Sequence, residues 1–235
     1  LALSIIIPAY NEAELIVGNL RRVHEYLTGA TIEHEVIVVS NGSTDNTVSL
    51  VKDLASRENW LRIVDLSERG AGRAFVSGVQ ASRFEYVVGI DADLPCELTF
   101  LRMAYDLLPH CSAVYGSKFM GKQERSLVRI VGSQVYILCS QLFFGFTVSD
   151  FSQDSKAFRR ADILDALPHL NEWTGYPLEL AVYLSFRNKR IIQVSIEVKD
   201  TRSSRYNLIH EAFFRYSHLF RCWRKTKNKK SWFWA

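Results

Sequence analysis

Two aspartates with one residue between them, Asp91 and Asp93, close the apolar run VGIDAD at residues 88–93. Such a run reads as a strand buried on both faces. Side chains two apart on a strand point to the same side, so both carboxylates would meet one ligand at the strand's C-terminal edge. Adjacent carboxylates repel, and a divalent cation shared with a phosphate relieves the repulsion. Taken alone, a pair of this kind is more often two solvated turn residues. The residues around it decide the matter.

Those surroundings begin with the elements that would carry the pair. The first half alternates strand-like and helical runs: SIIIPAY before a helix from Asn11 to about Leu27, EVIVVSNG before a helix opening at STDNT, LRIVDL before a helix from about Gly72, and YVVGIDAD before a helix from about Glu97. This alternation predicts parallel βαβ units in a doubly wound α/β sheet, whose ligand crevice lies beyond the carboxyl ends of the strands. Polar residues stand at three of those ends: Pro8-Ala9-Tyr10-Asn11-Glu12, Ser40-Asn41-Gly42-Ser43 and Asp91-Ala92-Asp93. Gly70-Ala71-Gly72 lacks the third glycine of a dinucleotide loop and reads as a turn, with Arg73 behind it in reach of a ligand phosphate.

The second half is less regular. AVYGSKF (113–119) reads as a strand ending at Lys118, SQDSKAFRR as a short strand, GYPLELAVYLSF as a helix and RIIQVSIEV as a half-exposed strand. Residues 125–146 are apolar over about twenty positions, enough to span a bilayer. Arg129, Gln134 and Gln141 would be costly at its centre, so the expectation is a helix lying against a membrane or the core. Charge divides unevenly: residues 1–117 hold 9 Lys/Arg against 15 Asp/Glu, and residues 118–235 hold 20 against 10, giving −6 and +10. A basic half suits nucleic acid, a membrane surface or phosphorylated substrates. No nucleic-acid module is recognisable, and the basic residues flank apolar stripes, which argues against nucleic acid.

The last helix, about Asn207–Trp223, carries an apolar stripe at Ile209, Ala212, Phe213, Tyr216, Leu219, Phe220 and Trp223, with KTKNKKSWFW behind it. Aromatics interleaved with basic residues fit an interfacial anchor on anionic lipid; the plainer alternative packs the stripe on the domain. Cys96, Cys111, Cys139 and Cys222 are far apart without metal-type pairing, as expected of reduced thiols in a cytosolic setting. The chain starts directly in a strand without a basic leader or initiator Met, which reads as a trimmed start and not as a secretory one.

As an ordered set, PAYNE, SNGSTDNT, the DAD strand end and GSKF strongly resemble the family 2 glycosyltransferases, nearest the polyprenyl-phosphate sugar synthases of the dolichyl-phosphate mannose and glucose group. The resemblance covers essentially the whole chain. It implies a GT-A (Rossmann-like) fold, a mostly parallel twisted sheet flanked by helices, with an amphipathic C-terminal helix. It implies a catalytic domain over 1–200, with a nucleotide-sugar half (1–117) and an acceptor half (118–200). A basic loop, helix and basic-aromatic tail would fill 201–235.

By the same resemblance Pro8, Ala9, Tyr10, Glu12 and Asn41 bind a GDP- or UDP-linked sugar donor, with Glu12 at the base or ribose. Asp91 and Asp93 hold Mg²⁺ or Mn²⁺ at its diphosphate. Lys118, Arg129, Ser133, Arg202 and Arg205 surround the phosphate of a polyprenyl acceptor, and Asp150 matches the aspartate of the family's Asp-x-Gln/Ser segment. The spacing of Arg129 and Ser133 puts both on one helix face, where a guanidinium fork and a hydroxyl can take one phosphate.

The activity implied is an inverting, metal-dependent hexosyl transfer, mannose or glucose first, at the cytosolic face of a membrane. The protein would be cytoplasmic and peripheral, or attached through an anchoring subunit or a removed transmembrane segment. Three positions depart from the family pattern: Ser40-Asn41 replaces Asp-Asp, Pro95 replaces a Gln near the metal, and SQDSKAF replaces the usual segment after Asp150. They keep two rivals open. One is transfer to a glycan hydroxyl with Asp150, Asp154 or Glu179 as general base; the other is a degenerate nucleotide-sugar binder or scaffold without turnover.

Overall fold

In the computed structural model, residues 1–118, 127–145, 148, 150–151, 155–197 and 208–227 are described. Side chains of 127–131, 133 and 208–212 fall outside the description. The elements run β1 (Ala2–Ala9), α1 (Ile16–Gly29), β2 (Glu33–Asn41), α2 (Thr47–Ala55), β3 (Leu61–Leu66), α3 (Ala71–Ala81), β4 (Tyr86–Gly89) and α4 (Thr99–Leu107) in the first half. There follow β5 (Ala113–Ser117), α5 (Leu127–Phe144), β6 (Lys156–Arg159), α6 (Arg160–Ile163), α7 (Tyr176–Phe186), β7 (Ile191–Ser195) and α8 (Leu208–Lys227).

Seven strands form one sheet in the order β3-β2-β1-β4-β6-β5-β7. The first four are mutually parallel. β6 enters antiparallel between β4 and β5, and β7 pairs parallel with β5. Two reversals restore direction, so β5 ends on the same sheet edge as β1, β2 and β4. The runs that seed the centre are rich in β-branched residues, and Ile5, Ile6, Val36–Val39, Val87 and Val88 are fully buried, as strands covered by helices on both faces require. Gly78 brings α3 onto β1: a Cβ there would lie 2.4 Å from Ile6 Cγ2.

The N-terminal edge is tied by one saturated carboxylate. Glu35, 5% exposed, accepts from Ser4 Oγ at 2.7 Å, the Arg83 N–H at 2.7 Å and Arg62 at 2.5 Å. Buried charge is tolerated when its lone pairs are filled in this way.

Two helix boundaries, one start and one end, differ from the sequence reading. α1 begins at Ile16 and not at Asn11, because Asn11 takes φ +55°, a left-handed conformation asparagine tolerates better than most residues but no helix accepts. The C-terminal helix runs to Lys227, and its apolar stripe divides. Leu219 and Cys222 are buried, and Tyr216 and Trp223 meet Tyr136 and Phe143 of α5 at ring distances of 5.5 and 5.0 Å. Phe213 and Phe220 remain 75% and 50% exposed.

Candidate active site

The β1 and β2 tips are stitched into one unit. Their register sets Ala9 beside Ser40, and the turn after β1 lies against the loop after β2. The Asn11 N–H donates to Ser43 Oγ at 3.2 Å, and its side-chain oxygen accepts from the Thr44 N–H at 2.8 Å. The Glu12 N–H donates to Thr47 Oγ1 at 2.8 Å and the Ala13 N–H to Asp45 at 3.2 Å. Desolvation pushes the Asp45 carboxyl up, but the bonds from Thr47 and Ala13 outweigh it and hold the group below the usual carboxylate range. Pro8, Ala9, Tyr10 and Glu12 are thus held on a braced turn. Of the bracing residues, the sequence reading puts Ser43 at the strand end, and Thr44, Asp45 and Thr47 in a helix opening within the family motif, without a bracing role. Their density of short hydroxyl and carboxylate side chains after a strand was the signal.

Asn41 is engaged in structure: its side-chain oxygen accepts from the Gly70 N–H at 2.6 Å. Gly42, at φ +69°, lets the chain turn under Arg69, whose guanidinium lies 3.8 Å from the Tyr10 ring centroid. Arg73, the cation expected to reach a phosphate, is bonded instead to Glu68 and, at 2.6 Å, to Glu172. Arg69 is the cation that stacks at this tip, and sequence reasoning passed over it. Gly72 serves close approach, since a Cβ there would lie 1.9 Å from the Asn171 carbonyl oxygen.

The aspartate pair sits beside these loops, with a changed local geometry. β4 ends at Gly89, and Ile90 donates its N–H to the Ile6 carbonyl at 3.1 Å. Residues 91–94 then form a turn, closed by Leu94 N–H to the Asp91 carbonyl at 3.2 Å with Leu94 at φ +47°. Strand alternation is therefore not what sets the two carboxylates; a turn at the strand's end does. Both are part-exposed while Ala92 between them is buried, and Asn19 fixes the turn by donating to the Ala92 carbonyl at 2.9 Å. Pro95 lies in the loop that follows.

Across β6, Lys118 follows the β5 tip and is 3% exposed; its N–H donates to Asp150 Oδ2 at 3.2 Å, and Asp150 is 1% exposed. Lys156 opens β6 between Gly89 and Tyr115, is 1% exposed, and sets its ammonium 5.3 Å from the Tyr115 ring centroid. It is a second buried lysine at this edge that sequence reasoning left unassigned; a long cation opening a short central strand was the clue. Arg129 and Ser133 lie one turn apart within α5, their side chains outside the description. Arg202, Arg205 and Asp154 lie outside the described residues.

Glu179 is not placed as a free base. One oxygen accepts from the Asn171 N–H at 2.5 Å, and the other faces His218 at 3.3 Å and Cys222 at 3.9 Å. Cys222, read as lacking metal-type partners, meets His218 one turn away on α8 and Glu179 through tertiary packing. Burial and the Glu179 carboxylate push its thiol well up.

This strand order, with its polar tips on one edge, is the architecture of the GT-A transferases. The chain belongs to glycosyl transferase family 2, whose model matches residues 4–164. It is 29% identical over 173 residues to an undecaprenyl-phosphate 4-deoxy-4-formamido-L-arabinose transferase of Pseudomonas fluorescens (strain SBW25), covering 70% of this chain and 48% of that protein. It is 26% identical over 199 residues to glycosyltransferase YkcC of Bacillus subtilis (strain 168), covering 83% of this chain and 60% of the relative. The chain thus spans about half to three fifths of these relatives' lengths. Among solved structures, glucosyl-3-phosphoglycerate synthase from Mycobacterium tuberculosis in complex with UDP matches with a TM-score of 0.70 at 21% identity, over 94% of this chain and 80% of that one. The same enzyme has been solved with Mn²⁺ and UDP-glucose.

Proposed function

We propose that this chain is the catalytic part of an inverting, divalent-metal-dependent transferase that moves a hexose, glucose or mannose first, from a nucleoside diphosphate to a polyprenyl phosphate. The work would be done at the cytosolic face of a membrane, with UDP favoured over GDP as carrier. The observation that carries the reading is the gathering, on one sheet edge, of the braced Tyr10–Glu12 turn, the Asp91–Asp93 turn and the buried Lys118 and Lys156. The undecaprenyl-phosphate transferase among the relatives and the UDP complexes among the neighbours support acceptor and donor.

Asp91 and Asp93 fit Mg²⁺ or Mn²⁺: they are part-exposed oxygen donors, and these ions take one or two carboxylates and fill their shells with phosphate oxygens and water. When bound, the cation offsets charge growing on the departing diphosphate. The braced turn and Asn41 loop hold the nucleoside, with Arg69 in place of Arg73 near its phosphates. Lys118, Lys156, Arg129 and Ser133, joined by Arg202 and Arg205, hold the acceptor phosphate. One of its oxygens forms the new bond to the anomeric carbon as the bond to the diphosphate breaks, inverting that centre. A phosphate monoester is already anionic at neutral pH and needs no strong general base, and the engaged oxygens of Glu179 and Asp150 agree with that chemistry.

Residues 1–117 serve the donor and 118–200 the acceptor, and the C-terminal segment serves the lipid surface. Among the described residues no helix is long and apolar enough to cross a membrane. Val135, Leu138 and Leu142 are 46%, 56% and 74% exposed on one face of α5, and Phe213 and Phe220 stand seven apart on α8 near exposed Arg221, Arg224 and Lys225. Apolar side chains beside cations suit an anionic bilayer surface. The test is incubation with labelled UDP- and GDP-sugars, Mn²⁺, and undecaprenyl or dolichyl phosphate. Labelled lipid phosphate is expected; label only on soluble hydroxyl acceptors, or donor binding without any turnover, overturns the reading.

A further inference from the structure

We propose that Glu179, His218 and Cys222 form a second cation site, of zinc type, buried where α8 meets the start of α7 and separate from Asp91 and Asp93. Their ligand atoms all lie within 4.8 Å of one another, and the residues are 2%, 5% and 1% exposed. His218 and Cys222 are four apart on α8 and share a face; Glu179 comes from the first turn of α7.

The spacing favours ligands over a hydrogen-bonded trio. His218 Nε2 is 3.3 Å from Glu179 Oε1 and 3.4 Å from Cys222 Sγ, and Sγ is 3.9 Å from Oε1. A charged N–H···O bond would close to about 2.7–2.9 Å. Ligands on a tetrahedral zinc at about 2.0–2.3 Å sit roughly 3.3 Å apart for N and O, and about 3.5–3.6 Å for pairs with S. The observed edges follow that pattern to within a few tenths of an ångström.

The surroundings are built to hold these groups. The second Glu179 oxygen is fixed by the Asn171 N–H at 2.5 Å, and the His218 ring stacks on Phe214, centroids 6.0 Å apart and 6° from parallel. Outer contacts of this kind orient metal ligands. Gly175 leaves room at the imidazole: a Cβ there would fall 2.4 Å from Nε2. The donor set of thiolate, imidazole and carboxylate selects zinc, where an all-oxygen pair selects magnesium or manganese. Binding sends the Cys222 proton to solvent and leaves a fourth position for water.

Occupancy would pin α8 to α7. The loop leading into α7 packs on Gly72, and its Glu172 carbonyl accepts from the Arg73 N–H at 3.1 Å, so the cation would also steady the donor-side rim.

The experiment strips the purified chain with chelator and titrates Co²⁺ by absorbance. We expect one equivalent to give intense tetrahedral visible bands and a near-ultraviolet thiolate band. The thiolate band should vanish in Cys222→Ser and persist in the Asp91→Asn/Asp93→Asn double variant. Should Cys222→Ser not fold, zinc K-edge absorption of the wild-type protein loaded with one equivalent decides, with one sulfur at about 2.3 Å expected. A shell of oxygen and nitrogen alone, a thiolate band surviving in Cys222→Ser, or no stoichiometric uptake by the wild type overturns the site. None of these readouts depends on transferase activity.

Discussion

The two edges of one sheet use carboxylates in opposite ways. At the N-terminal edge Glu35 is buried and filled by Ser4, Arg83 and Arg62. At the C-terminal edge Asp91 and Asp93 stand part-exposed on a turn that Asn19 fixes through its backbone, at Ala92. A buried, saturated carboxylate holds strands together; a part-exposed pair at the crevice edge is accessible to something that arrives. Residue type does not distinguish the two, but burial does.

Substitutions at the two edges should therefore separate stability from activity. Glu35→Ala is expected to cost about 3–5 kcal/mol of unfolding free energy, because Arg62 loses its buried partner and the Ser4 hydroxyl and Arg83 N–H lose their acceptor. Chemical denaturation measures it, and a loss below about 1 kcal/mol would erase the contrast. Asp93→Asn should leave the denaturation midpoint nearly unchanged while lowering kcat by about 10²–10³-fold, the scale of losing one electrostatic contact to developing charge. A variant that unfolds, or one of undiminished turnover, would make Asp93 another structural acid.

Arg69→Ala should raise the donor KM about tenfold with less effect on kcat, if the guanidinium stacked on Tyr10 meets the donor. Arg73→Ala should instead lower stability with little change in KM, since its two carboxylates are its partners. The smallest effect belongs to Asp45. Its folded pKa is depressed, so its stabilisation is complete above the unfolded value near 3.8 and disappears as pH falls through the folded one. The gap in melting temperature between wild type and Asp45→Asn should accordingly close on acidification below pH 4 and stay constant above it. A gap that widened in acid would contradict the bonding at the β2 tip.

Much of this was legible in the chain itself. Apolar runs ending in polar clusters gave the alternating elements and the edge on which the crevice lies, because hydrophobic period and strand-end chemistry are local properties. The motifs PAYNE, SNGSTDNT and DAD fixed the family for the same reason. Where local rules compete, the reading slipped. Asn11 and Leu94 adopt left-handed backbone, so α1 starts later and the aspartates sit on a turn.

What sequence left undecided was partner choice across the fold. Arg69 and Arg73 are equivalent on paper; only the approach of the 171–173 loop gives Arg73 to Glu172 and leaves Arg69 on Tyr10. Lys156 becomes a buried cation because β6 runs antiparallel between β4 and β5. Cys222 and His218 lie more than thirty residues from Glu179, and no spacing rule reaches that far. Period and propensity act over a few neighbours, whereas ion pairs and ligand sets depend on which distant elements the sheet order brings into contact.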